Sequence, residues 1–233
     1  MSQARTVEQG AGSITPGDGS AAYRAPQQAR TRRVLEDVLT AACELLESEG
    51  PDDFNMAAVA DRAGVSIGAI YRRFQGREQL LTAVKARLLA EFEATLSADL
   101  HRPHTDLASI IRTFTNAMAD GVSRHPRAFP TLLQPIGKEA TERGHSALIN
   151  IRLLFLDAAC AHHDEIRRSD PAIALTTVQG VITSACVHRG MLGPDLNDGL
   201  SWPTFAHGLA DMAVTYLLTA DSRTALSATR PLP

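Results

Sequence analysis

The chain is short of the residue types that would fix its class at once. Aromatics make up 5% of its 233 residues, and its three cysteines, Cys43, Cys160 and Cys186, lie far apart. Thiols so few and so scattered do not suggest a disulfide framework or a zinc site, and they point to a reducing compartment. Neither sign of charge dominates. The 23 basic residues against 26 acidic ones leave a net −3, so any argument for a polyanionic partner must rest on local clusters. No apolar run approaches the roughly 18 to 20 residues that span a bilayer, and the opening MSQARTVEQG lacks the apolar stretch of a secretory signal. The expectation is a soluble, cytoplasmic chain with no membrane partner. At 44% hydrophobic and 21% charged, a buried core is within reach and global disorder is excluded.

What is present is helical. Nearly every segment between the two ends repeats its apolar residues at the helical period, and no stretch sustains strand alternation. Abundant alanine with few aromatics favours helices over sheets. The periodicity predicts helices over about 31 to 49, 55 to 63, 66 to 74, 77 to 100, 107 to 122, 139 to 163, 171 to 192 and 202 to 219, with a small helix among Pro126, Pro130 and Pro135. Residues 1–28 read as a disordered basic arm and 221–233 as a disordered tail. Within the arm and just beyond it, Arg24, Arg30, Arg32 and Arg33 have no acid among them. They suit a flexible arm on a minor groove and a plain solvated tail equally well.

The informative stretch is NMAAVADRAGVSIGAIYRRF, residues 55–74. Asn55 and Ser66 are good N-caps for two short helices separated by a tight AGVS turn, which is a helix–turn–helix. Phe54 with Val59, and Val65 with Ile70, have the spacing of hydrophobic staples. Val59, Ala60, Ala63, Val65, Ile70 and Phe74 form an inner face, and Ser66, Ile67, Gly68, Ala69, Tyr71, Arg72 and Arg73 point outward. The first residues of such a second helix reach base edges in a major groove. Gly68 costs about 1 kcal/mol of helix propensity, which is explicable if something large approaches the backbone there. The helix start at Ser66 also favours a phosphate neighbour.

GVSIGAIYRRFQGREQLL, preceded by FNMAAVADRA, resembles the DNA-binding domain of the TetR/AcrR family of bacterial regulators. The likeness is close over about 31 to 92. It implies an all-α fold: an N-terminal three-helix DNA-binding domain (29–76, motif 55–74), a connecting helix (77–100), and a C-terminal helical bundle (101–220) for ligand binding and dimerisation. It further implies that Tyr71 and Arg77 hold phosphates, joined by Arg72 and Arg73, while Ser66, Ile67, Gly68 and Ala69 face the bases. Arg77 stands where the family usually has Lys. Asn55 replaces the usual Thr or Ser cap and belongs to the same DNA-facing set. Apolar Ile67 and Ala69 suit thymine methyl groups. The implied partners are a near-palindromic double-stranded operator, an unknown small-molecule effector and a second copy of the chain, with no cofactor, no metal and no catalysis.

Other readings compete. Gly64-Val65-Ser66-Ile67-Gly68 matches the G-x-S-x-G elbow of hydrolases, but that elbow needs a strand before its Ser, and here a helix precedes it. His162 and His163, with Asp164, Glu165 and His188, suggest a metal, yet adjacent helical residues point about 100° apart and H-x-x-x-H spacing is absent. In the C-terminal part, Phe114, Met118, Leu133, Leu154, Phe155, Val181 and Cys186 are candidates to line a cavity, with ordinary core as the competing reading. Val178, Trp202, Phe205, Leu209, Met212 and Tyr216 are candidates for a dimer interface, because the last two helices are apolar round more than one face. Two rivals to a ligand-released repressor stay open: a DNA-binding structural protein without effector, and a ligand-binding or catalytic helical protein whose helix–turn–helix is vestigial.

Overall fold

The computed structural model describes residues 21–134, 137–192 and 199–221. Among these the regular structure is nine α-helices and one 3-10 turn. The tail 222–233, residues 1–20 and Pro135 lie outside the described residues. By its contacts the chain divides between Asp37 and Val38.

The first unit carries the opening of α1 (Ala21–Ser48). That helix starts at Ala21, well before the residue 31 expected from the apolar periodicity. Ala, Gln and Arg in AAYRAPQQAR are strong helix formers and outweigh the single Pro. Arg30, Arg32 and Arg33 are exposed on this unit.

The second unit begins with the rest of α1, whose Val38, Ala42, Leu45 and Leu46 are fully buried. Gly50, at φ 83°, ends this helix in the left-handed region that glycine accepts most easily. Then come α2 (Met56–Arg62), α3 (Ile67–Tyr71) and α4 (Arg77–Leu100). Beyond them lie α5 (Leu107–Ser123), α6 (Ala128–Leu133), α7 (Lys138–Cys160), a 3-10 turn (His163–Glu165), α8 (Pro171–Leu192) and α9 (Trp202–Leu218).

Helix α5 is the centre of the C-terminal bundle and packs against α4, α7, α8 and α9. Leu107, Ile110, Ile111, Phe114, Met118 and Val122 form its buried stripe. Its N-terminus is held by two carboxylates. Asp106 caps it by accepting from the Ser109 amide at 2.7 Å, and Glu165 accepts from the Leu107 amide at 3.2 and 3.1 Å. Both lie where the helix dipole favours negative charge. His162 Nδ1 lies 2.8 Å from the same Glu165, so these two members of the suspected metal group pin the start of α5. No cluster of metal-ligating residues occurs among the described residues.

Helix α8 corrects one expectation. It has the length and mean hydropathy, 1.2, to cross a bilayer. The composition instead fits a helix packed among α5, α6, α7 and α9. It buries Ala174, Leu175, Val178, Ile182 and Cys186 along with polar Gln179 and Thr183, which hydrogen-bond each other at 2.9 Å.

Candidate functional site

The two short helices are built as the local sequence dictates. Asn55 Oδ1 accepts from the amides of Ala57 and Ala58 at 3.1 and 2.9 Å, and Ser66 Oγ accepts from the Ala69 amide at 3.3 Å. These are donors that a helix start leaves without a partner in its own ladder. Gly64, at φ 65°, turns the chain between them. Phe54, Val59, Ala60, Ile70 and Phe74 are buried, while Ala63 and Val65 are half-buried. With only five residues in α3 and the Ala69 amide taken by Ser66, little of a helix dipole is left for a phosphate.

The opposite side is open. Ile67 is 45% exposed and Tyr71 52%, both large side chains turned away from the core. Ser66, Gly68 and Arg72 are exposed beside them, and Ala69 and Arg73 are half-buried. A methyl added at Gly68 would meet only the flexible end of Arg72, at 3.8 Å, so nothing within the protein requires glycine there. Asn55 is exposed, but its side chain is occupied with capping. Arg77 is also exposed, and it has a structural task. Its Nη2 donates to the Pro51 carbonyl at 2.8 Å and its guanidinium lies 5.6 Å from the centre of the Phe54 ring.

A cavity of about 440 Å³ opens between α4, α5, α6, α7 and α8, within the roughly 300–1,000 Å³ of small-molecule sites. Of the residues expected to line it, Met118 and Leu133 do; Phe114, Leu154, Phe155, Val181 and Cys186 do not. Phe114 and Phe155 are core, with ring centres 4.6 Å apart and no exposure. Leu154 is half-buried against that core, and Val181 is 45% exposed. Cys186 is fully buried, and burial pushes its thiol up to about 12 against the opposing pull of Arg189. Helical periodicity identifies an inward stripe but not which part of it meets a void.

The walls that sequence reasoning missed include Leu88, Phe92, Phe129 and Leu148, and the charged Lys85, Glu91 and Arg124. Periodicity places Leu88 and Phe92 on an inward face and gives no sign that this face borders a void. Beside the cavity, His125 Nδ1 lies 3.7 Å from Cys43 Sγ. Burial holds the His125 ring below its ordinary pKa, and burial raises the Cys43 thiol.

The residues expected at a dimer interface divide three ways. Val178 and Leu209 are buried within the protomer, at 4% and 7% exposure, and so belong to its own core. Trp202, Phe205 and Tyr216 are half-buried and packed on that core. The Arg189 guanidinium lies 5.2 Å from the Trp202 ring and 4.7 Å from Phe205, and Arg168 lies 4.0 Å from Tyr216. Met212 is 56% exposed, and Ile173 and Val181 on α8 are 63% and 45% exposed. Methyls added at Gly180 or Gly208 would meet open space.

Comparison with known proteins agrees with this architecture. Residues 38–84 match the family described as bacterial regulatory proteins, tetR family. The HTH-type transcriptional regulator SrpR of Pseudomonas putida is 25% identical over 173 residues, 74% of this chain and 78% of that protein. A second regulator of the same species, the HTH-type transcriptional regulator TtgW, is 26% identical over 129 residues, 55% of this chain and 92% of that protein. Among solved structures, a TetR transcription regulator from Haloarcula marismortui superposes with a TM-score of 0.63 at 18% identity, covering 80% of this chain and 97% of that one. The regulator FadR of Bacillus subtilis, solved in complex with stearoyl-CoA, superposes at 0.60 with 16% identity, covering 78% and 98%. With its capped helix–turn–helix and its match over 38–84, the chain carries a DNA-binding domain of the tetR family type within an all-helical fold.

Proposed function

We propose that the chain is a repressor that binds a near-palindromic operator as a homodimer and is released when a small molecule enters the cavity. One observation carries the DNA half: the outward side of α3 exposes Ile67 and Tyr71 together with Gly68 and Arg72, where no packing need keeps them. Tyr71, Arg72, Arg73 and Arg77 supply phosphate contacts, and Ser66, Ile67, Gly68 and Ala69 face base edges. Asn55 acts through its cap, setting the angle between the two short helices.

Exposed Ile173, Val181 and Met212, with bare backbone at Gly180 and Gly208, support pairing of α8 and α9 with their copies across a twofold axis. The cavity supports the effector half. Its wall includes Leu88, Leu89 and Phe92 of α4, and α4 begins one residue after Gly76, close to the end of the recognition unit. A ligand that moves α4 therefore changes where α3 is held. Taking a population from nearly all bound to nearly all released needs about 10⁴-fold preference for one state.

Fluorescence anisotropy on the promoter fragment upstream of the protein's own gene tests the reading. Tyr71→Ala should weaken binding to every fragment alike without altering the salt slope, since no cation is lost, whereas Ile67→Ser should alter preference among fragments. Unchanged affinity in Tyr71→Ala would overturn the assignment.

A further inference from the structure

The cavity holds one polar group that its surroundings leave unanswered. Lys85, on α4, lines it and is only 8% exposed. No hydrogen bond or ion pair engages its ammonium among the described residues. It lies against bare backbone of α7: a methyl built on Gly144 would stand 3.4 Å from Lys85 Nζ and 3.6 Å from Cε. The one acid in the lining, Glu91, is held by Arg87, with Nε 2.8 Å from Oε1. The remaining polar lining, Arg124, His125, Gln134, Thr141 and His145, adds no anion. Thr141 already donates to the Gly137 carbonyl at 2.9 Å.

An ammonium withdrawn from water without a counter-ion is unfavourable, and burial lowers its pKa accordingly. Met would fill the same space at no such cost. A charge kept in an apolar pocket is therefore best explained by what enters the pocket. We propose that the cavity takes an amphipathic anion, its head, a carboxylate or another single acidic group, paired with Lys85 and its apolar body laid against Leu88, Phe92, Met118, Phe129 and Ile151. At about 440 Å³ the cavity lies within the range of small-molecule sites, roughly 300–1,000 Å³, and has room for a compact amphiphile. A medium-chain fatty acid and a two-ring aromatic acid are suitable probes of such a space. Cationic amphiphiles are excluded by like charge, and neutral ones leave Lys85 unpaired.

This assignment rests on the cavity being the effector site, and two separate readouts keep the two claims apart. Isothermal calorimetry on the full chain reads it directly, with decanoate and 2-naphthoate as the acids and decanol and decylamine as neutral and cationic probes. The wild type should bind at least one acid tenfold or more tightly than decanol, and decylamine not at all. The better acid tells whether the body is a chain or a ring. Lys85→Met should lose that tenfold preference while binding decanol within about twofold of wild type. Decanol bound as tightly as both acids by the wild type overturns the proposal whatever the variant does, and so does failure of both acids to bind. An unaltered preference in a folded Lys85→Met protein also overturns it. Anisotropy with labelled promoter DNA then reads the effector role. An acid bound through Lys85 that leaves DNA affinity unchanged sustains the anion site and overturns the effector reading.

Discussion

Arg143 of α7 holds Glu93 of α4 with both arms of its guanidinium, Nη1 at 3.1 Å from Oε1 and Nη2 at 2.7 Å from Oε2. Each side chain is about four-fifths buried, at 23% and 18% exposure. The pair fastens a cavity wall to the helix that starts just after the recognition unit. Replacing Arg143 with Met leaves Glu93 without its cation in a poorly hydrated place. The expected loss is about 1–3 kcal/mol, read from the midpoint of urea unfolding at neutral pH.

Gly121 of α5 lies under the Phe92 ring so closely that an added methyl would overlap it. Gly121→Ala therefore pushes the ring toward the cavity or the helices apart. The expected destabilisation is about 1–3 kcal/mol, and a thermal melt checks it. Gly68→Ala, where only the end of Arg72 is near, should leave the melt unchanged or raise it slightly, since Ala is the better helix former. A fall in DNA affinity there would report the close approach of the duplex.

Loss of either cap should cost about 1 kcal/mol. Asn55→Ala frees two amides, whereas in Ser66→Ala the Ala69 amide keeps its 2.8 Å bond to the Ser66 carbonyl, so Asn55→Ala should lower the urea midpoint more. Equal effects would mean that only one of the two bonds at Asn55 contributes.

His125 gives the protein an acid sensitivity whose sign is fixed. Burial, the largest cause, holds its folded pKa below the ordinary 6.5, with Arg124 and Arg87 acting the same way and Glu47 and Glu91 opposing. As pH falls through about 6.5 the unfolded chain takes up a proton that the folded chain resists, so stability declines, and it levels off only below the folded value. Urea midpoints at pH 7.5 and 5.5 should differ less in His125→Phe than in the wild type. An identical difference would assign the acid loss to other groups.

Much of the fold is readable from residue spacing because most helices here bury a single stripe. Arg77–Leu100 and Pro171–Leu192 begin and end where caps, Gly and Pro place them. The outward side of α3 is equally legible, since local caps and a tight turn fix which residues of a short helix face in. Lys85 carries a fainter signal of its own. It stands four residues after Leu81 and three before Leu88, a charge inside an apolar stripe.

The chain's own order of residues determined the helices, their caps and the recognition unit, because those depend on neighbours within about four positions. Which apolar residues meet each other and which meet empty space was decided only in three dimensions. Phe114 closes on Phe155 while Met118, one turn further along the same stripe, opens on the cavity. The same holds for Val178, whose apolar character was plain but whose partners proved to be its own core. A hydrophobic side chain declares that it will be buried; only the packing of distant helices says against what.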